Sequence, residues 1–235
     1  MPVPPEKRFK SDEIKISLAD ENDMDRIADG LYTCFPEVWW AKMEPPEQRP
    51  PEFITRRNRL AARLRPSFKI KEMNWIKATL TSNNLIIGIA GWMGPGNSII
   101  GNIWRRSAIE YYGFKEQEGW TDEDIEEMWT GVSDAWDAQF SRDDEIRKKV
   151  LGDEPHWYLG PLMTWPEYQG RGVGRLLLDW CFERADRETP PTTCYLESAP
   201  TARAVYLKAG FVPIPVELGE HALVRRGPPK KENSG

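Results

Sequence analysis

Six consecutive residues, Gln169-Gly170-Arg171-Gly172-Val173-Gly174, carry the most specific chemistry in the chain. They fall where a β-rich apolar run gives way to a helical pattern beginning at Val173. Glycines there let the backbone approach a ligand closely, and the first turn of the helix presents N–H groups without intrahelical partners at the positive end of the dipole. A diphosphate is the ligand such a turn is built to hold, although a glycine-rich connection without a ligand has the same composition. A dinucleotide fingerprint is disfavoured, because Arg175 and Leu177 stand where its third glycine is required.

Other chemistries are removed by what the sequence lacks. His156 and His221 are the only histidines, too few for a His-rich metal cage, and no Gly-x-Ser-x-Gly elbow or Gly-Lys of a phosphate loop occurs. Cys34, Cys181 and Cys194 are odd in number, show no Cys-x-x-Cys spacing, and accompany no Asn-x-Ser/Thr sequon, which fits a reducing compartment, cytoplasm or nucleus. With 32 basic and 37 acidic side chains the formal charge is −5, the wrong sign for holding nucleic acid by its phosphates. The apolar run from Leu85 to Met93 is less than half of what a membrane helix needs, so no membrane partner is expected. Apolar residues at 40% and charged residues at 29% are those of a globular chain with a real core.

The elements that must position the turn follow from periodicity. Ile14, Ile16 and Leu18 alternate as a strand, and Met24, Ile27, Ala28, Leu31 and Phe35 recur at helical spacing. Residues 52–64 form a basic amphipathic helix, closed by Pro66. Trp75 to Leu80 and Leu85 to Met93 read as a hairpin around Ser82-Asn83-Asn84. Residues 94–155 change character, with four tryptophans and a carboxylate excess, and read as a helical insertion. Within it one helix is expected from Ile125 through Phe140, capped by Thr121 with Asp124 three residues on. A strand over 157–164, a helix over 173–188 facing inward through Val173, Leu176, Leu177, Trp180 and Cys181, and a strand over 193–197 complete a β–α–β unit. A short helix over 201–209 ends at Gly210, and strands follow near 211–216 and 222–225. The division is a frayed terminus over 1–11, one domain over 12–226 and a tail over 227–235.

In order and spacing this chain resembles the GNAT superfamily of N-acetyltransferases. The likeness rests on Leu159-x-x-Leu162-x-Thr164-x-Pro166-x-x-Gln169-Gly170-x-Gly172-x-Gly174, then Leu176-Leu177 and Ala185-Asp186, and on Tyr206-Leu207-Lys208-Ala209-Gly210-Phe211. It covers residues 157–211; the first β–α–α–β–β elements agree more loosely, and the insertion and tail lie outside it. The resemblance implies a mixed α/β sheet with splayed central strands and acetyl-CoA as co-substrate. Its pyrophosphate would lie on Gln169, Gly170, Arg171, Gly172, Val173, Gly174 and Arg175, and its pantetheine arm would pair with Leu162, Met163 and Thr164 as an added strand.

The resemblance also assigns chemistry. Tyr206 occupies the family's general-acid position, where a phenol delivers a proton to the departing thiolate. Without the resemblance, Tyr206 reads as a packed aromatic on an amphipathic helix. The strand over 157–164 has no carboxylate where many relatives keep one, so Glu197 at the end of the next strand is the first candidate base and His156 the second; ordered water is a third route. Ala199 and Ser198 stand where the family often has an Asn on the cofactor. The oxyanion would be met by a backbone N–H of the strand over 162–164.

The resemblance implies as acceptor a primary amine, on a small molecule or a peptide. Trp39 and Trp40 fall where the family shapes its acceptor side and are the candidate specificity pair. Twelve acidic and one basic residue over 116–145 face eight basic and two acidic over 49–72. The acidic helix either concentrates ammonium-bearing acceptors or serves as partner to the Arg-rich helix. No metal is expected. The rival reading is a module that binds an acyl-CoA or a protein without turnover.

Overall fold

The computed structural model describes residues 7–99 and 101–228; residues 1–6, 100 and 229–235, which include most of both expected termini, lie outside the described residues. Strand β1 (Ile14–Leu18) is followed by α1 (Met24–Cys34), α2 (Glu37–Met43), α3 (Phe53–Leu64), β2 (Met73–Leu80) and β3 (Ile86–Met93). Then come α4 (Ala108–Tyr112), α5 (Phe114–Glu118), α6 (Asp122–Trp129), α7 (Ala135–Leu151), β4 (His156–Thr164), α8 (Val173–Ala185), β5 (Thr193–Glu197), α9 (Arg203–Lys208), β6 (Val212–Pro213) and β7 (Ala222–Arg225). The strands form one sheet in the order β1-β2-β3-β4-β5-β7-β6. Every pairing is antiparallel except β4 with β5. The expected mixed α/β fold is present. The β2–β3 turn has Asn84 at φ 58°, a conformation asparagine tolerates, and Leu80 donates to the Leu85 carbonyl at 2.9 Å.

Helices cover both faces of the sheet, which is why β3 is buried at every position. On one face Ile27 and Leu31 of α1 and Leu60 and Leu64 of α3 share a core with Trp75, Ile89 and Met163. On the other, Val173, Leu177 and Cys181 of α8 share a core with Ile76, Ile87, Leu159 and Leu196. The inward stripe of α8 runs through Leu178 and Phe182, whereas Leu176, expected inside, is 39% exposed. Helix α2 lies in a segment the periodicity left without an element, too short to show a repeat.

The insertion holds two short helices, α4 and α5, that its sequence reading did not assign, and differs from that reading again further on. The single helix expected through Ile125 and Phe140 is two, α6 and α7, separated at Thr130–Asp134. Gly131 at φ +86° makes that break, and a Cβ there would sit 2.7 Å from the Gln48 carbonyl oxygen. Thr121 caps α6 with Asp124 as the spacing predicts. The acidic face of α6 meets α3, where Arg59 bonds Glu127 through Nε at 3.0 Å and Nη2 at 2.7 Å. Beneath them buried Glu44 accepts from Arg56 Nε at 2.5 Å, Arg63 Nη2 at 3.1 Å and the Tyr32 hydroxyl at 3.1 Å. The Arg63 guanidinium lies 5.0 Å from the Trp129 and Trp136 rings, tying the insertion to the Arg-rich helix.

The feature that positions the site is the parting of β4 from β5. Their parallel pairing runs from His156 with Thr193 to Leu159 with Leu196 and stops. At the same point β4 bulges against β3: Leu159 pairs with Trp92 and Leu162 with Ala90, so Gly160 and Pro161 together oppose Gly91. A Cβ on Gly91 would lie 2.7 Å from the Gly160 carbonyl oxygen. Gly91→Ala should therefore lower stability by about 1–3 kcal/mol, read as a lower urea midpoint with unchanged slope; an unshifted midpoint would mean that β3 does not abut the bulge.

Candidate active site

Strand β4 ends at Thr164, Trp165 caps it by donating to the Ile87 carbonyl at 3.0 Å, and a 3-10 turn over Pro166–Tyr168 leads into the glycines. Gln169 Nε2 donates to the Thr164 carbonyl at 3.0 Å and holds the turn against the strand. Gly170 at φ +73° and Gly172 at φ +95° take left-handed backbone that other residues adopt only with strain. Among the described residues, no atom beyond its chain neighbours lies within 4 Å of where a Gly172 Cβ would sit, so they leave open space there. The Arg175 and Leu176 amides turn back to the Gly172 carbonyl at 3.1 and 3.2 Å. Among the described residues no loop or side-chain acceptor meets the Gly170, Gly172 or Val173 amides.

The two arginines of this stretch are otherwise engaged. Arg171 stacks 3.5 Å over the Phe9 ring, and its Nε donates to the Lys7 carbonyl at 3.2 Å. Arg175 pairs with Asp179 at 2.7 Å, one helical turn on. What the turn offers an anion is chiefly main chain. Phe9 also donates its amide to the Arg171 carbonyl at 3.2 Å and packs on Tyr168, so residues 7–11, expected outside the fold, in fact lie against the turn. An isolated aromatic in a polar stretch has no periodicity to reveal such docking.

Of the strand residues, Met163 is buried against α1, where Gly30 makes room for it and for Trp165; Leu162 and Thr164 are half-buried. Cys34 Sγ donates to the Thr164 carbonyl at 3.4 Å, and burial pushes its thiol up to about 11, so it stays protonated. Tyr206 on α9 is 7% exposed and packs edge-on against Phe211 at 5.9 Å. Burial alone raises its hydroxyl above the ordinary value, and that hydroxyl has no hydrogen-bond partner among the described residues. Glu197 ends β5 on the Tyr195 side of the strand, the face opposite Tyr206. Its Oε1 is shut off from solvent without a partner, and desolvation, with Asp143 nearby, pushes the carboxyl up to about 8 against the lowering pull of Arg147. The structure thus sets a buried phenol and a high-pKa carboxyl on opposite faces of the sheet, the carboxyl next to the point where β4 and β5 part.

Other expectations fall elsewhere. His156 pairs with Thr193 at the start of β4, about 10 Å of strand from where the pairing ends, and is fixed by its Nδ1 at 2.8 Å from the Glu154 carbonyl. Trp40 is 1% exposed; it donates to the Leu31 carbonyl at 3.3 Å and packs on Tyr32 and Trp136, so its surface is spent on the core. Trp39 is half-buried against Phe35 and Trp136. The acidic insertion helix α6 faces the Arg-rich α3, the second of its two expected roles.

Sequence reasoning missed a polar group under the bulge. Arg147 of α7 lies 3.9 Å over the Tyr158 ring of β4 and bonds Asp144, which also takes Asn102 at 2.8 Å and Arg105 at 3.3 Å. A signal existed: Trp136, Asp144, Arg147 and Leu151 share the buried stripe of α7, so two charged residues occupy positions where helical spacing calls for apolar ones. Among the described residues no cluster of three or more His, Cys, Asp or Glu side chains is placed to hold a metal, and no helix is long and apolar enough to cross a membrane.

This arrangement sets an open strand edge beside a glycine turn whose amides lack partners among the described residues. Residues 138–213 match the sequence model of an acetyltransferase (GNAT) domain. The structure is similar to a mosquito arylalkylamine N-acetyltransferase-like protein, at 13% identity and a TM-score of 0.52, covering 90% of this chain and 99% of that one. A Corynebacterium glutamicum protein described as a histone acetyltransferase and related acetyltransferase is 19% identical over 92% of this chain and 97% of its own, at a TM-score of 0.49. A Brucella melitensis GNAT family acetyltransferase in complex with acetyl-CoA is 12% identical over 92% and 89%, at 0.46. No curated protein matches the sequence. The family model thus matches about a third of the chain, from α7 to β6, and the likeness to the mosquito protein is one of fold.

Glu197 gives the site a pH signature. Between its ordinary value of 4.5 and about 8, the unfolded chain has lost the proton that the native chain keeps. Its contribution to native stability therefore falls as pH rises through that window. Glu197→Gln removes the dependence, so the urea midpoint of the variant should gain on that of the parent progressively between those pH values. A constant difference would mean that Glu197 titrates as a solvated carboxylate.

Proposed function

We propose that the protein is an acetyl-CoA-dependent N-acetyltransferase acting on a primary amine by direct attack in a ternary complex. The observation that carries this reading is the continuous path from the unpaired edge of β4 to the open glycine turn. A strand that stops pairing leaves N–H and C=O groups in need of partners, and the amides of a pantetheine arm would supply them. The Gly170–Gly174 amides would then meet the pyrophosphate at the N-terminus of α8.

In this reading Leu162, Met163 and Thr164 hold the thioester and lend an N–H to the oxygen that becomes negative as nitrogen attacks. Tyr206 presents its hydroxyl to the sulfur as the C–S bond breaks, gives the thiolate a proton and recovers one from solvent. Burial keeps that phenol protonated throughout the physiological range. Glu197 accepts the amine's proton directly or through water, and as a group titrating near 8 it gives activity that rises with pH up to about that value.

Tyr206→Phe should lower kcat by about 10²–10⁴-fold while acetyl-CoA affinity by calorimetry stays near that of the parent. Unaltered thiol release would take Tyr206 out of the mechanism. Acetyl-CoA binding without thiol release across an amine panel would instead establish a binding module, and no heat of binding at all would end the reading.

A further inference from the structure

Residues 7–13 lead from the glycine turn to the start of β1 and are tied down at both ends. At the β1 end Thr81, just past β2, donates its amide to the Glu13 carbonyl at 3.0 Å and its hydroxyl to the Asp12 carbonyl at 2.8 Å. At the other end the Phe9 amide donates to the Arg171 carbonyl at 3.2 Å, Arg171 Nε donates to the Lys7 carbonyl at 3.2 Å, and the Arg171 guanidinium lies 3.5 Å over the Phe9 ring. Every one of these contacts falls on Arg171, the residue between the two left-handed glycines. Phe9 also packs on Tyr168, in the 3-10 turn that leads into the glycines.

The side of the turn that this arm takes decides what it can do. A trans peptide is planar and points its C=O and its N–H in opposite directions. The Arg171–Gly172 peptide is trans, so with the Arg171 carbonyl turned to Phe9 the Gly172 amide faces away from the arm. That amide is one of those without a protein acceptor among the described residues. The arm therefore braces the turn from behind and leaves its donors free. Gly170 and Gly172, with no Cβ to restrict them, sample other backbone conformations when unbraced, and in those the amides no longer converge.

Charge sets the sign of the effect. Lys7, Arg8 and Lys10 are exposed and have no ion-pair partner among the described residues, in a chain of formal charge −5. A ligand that carries a diphosphate and a further phosphate, as acetyl-CoA does, attracts such a segment rather than expelling it.

We propose that residues 7–10 are a cofactor-coupled arm with Phe9 as its positioning residue: docked on Arg171, the arm holds the glycine turn in the form that receives the pyrophosphate, and bound acetyl-CoA in turn holds the arm in place. The inference rests on the acetyl-CoA reading and adds to it a binding element remote in sequence from the turn. Phe9 acts through Arg171 and not on the reacting atoms. Coupling of this kind is reciprocal, so the factor by which docking tightens acetyl-CoA equals the factor by which acetyl-CoA tightens docking.

The arm is its own reporter, because trypsin cuts after Lys7, Arg8 and Lys10 when the segment lifts from the turn. With full-length protein, saturating acetyl-CoA should slow cleavage at these sites about 10-fold, read by mass spectrometry at early times, and Phe9→Ala should raise the Kd of acetyl-CoA by calorimetry by a similar factor. In Phe9→Ala the arm sites should be cut quickly with or without acetyl-CoA, which separates docking from general stabilisation by a ligand. Phe9→Tyr keeps the ring and should retain both the parental Kd and the protection; it and the parent decide the matter should Phe9→Ala fail to fold. Faster cleavage with acetyl-CoA would make the arm a plug that the cofactor expels. That result, unchanged cleavage in the parent, or an unchanged Kd in Phe9→Ala overturns the coupling while leaving acetyl-CoA binding intact. No heat on titrating acetyl-CoA into the parent ends the acetyl-CoA reading and the coupling together.

Discussion

The structure depends on one interrupted ladder. Beyond Leu159 and Leu196 the parallel strands at the centre of the sheet no longer share hydrogen bonds. An unpaired edge inside a sheet is a liability unless some group completes it. Here the parting is built in: two residues of β4 oppose one of β3, the glycine at position 91 lets the backbones approach, and β3 continues unbroken beside the bulge. The two helical layers hold the arrangement from both faces, so the opening is a fixed property of the fold.

Chemistry divides across that opening. The glycine turn and Tyr206 belong with the α8 face, while Glu197 and the Arg147 group belong with the face covered by α1, α3 and the insertion. Both titrating candidates have their protons held by desolvation, the phenol through burial alone and the carboxyl through burial with a neighbouring acid. The aromatic insertion contributes as a second wall. Trp136 stands at its centre, donating to the Trp104 carbonyl and packing on Trp39, Trp40 and Phe140. Arg63 and Glu44 fasten that wall to the Arg-rich helix by charge and ring contact.

Local rules read well where the relevant contacts are close in sequence. The β1 alternation, the Asn84 turn, the Thr121 cap and the glycine turn before α8 each depend on a few neighbouring residues. They read poorly where a distant partner decides. The break between α6 and α7 follows from the approach of Gly131 to Gln48, far away in sequence. The rotation of α8 that exposes Leu176 follows from the strands it covers. The docking of Phe9 on Arg171 joins residues far apart in the sequence.

By itself the sequence determined the order of elements, the likeness to a family and the place of the glycine turn, because each rests on periodicity and on residue types at short, fixed spacings. Only the tertiary structure decided which side chains are free to act. It committed Trp40 to the core and Arg175 to Asp179, and it brought Arg147, Tyr158 and Trp104 together beneath Gly160. The physical reason is that burial and electrostatic environment are properties of neighbours in space. The same arginine is a solvated charge on an isolated helix and an unsatisfied cation once a strand and a loop close over it.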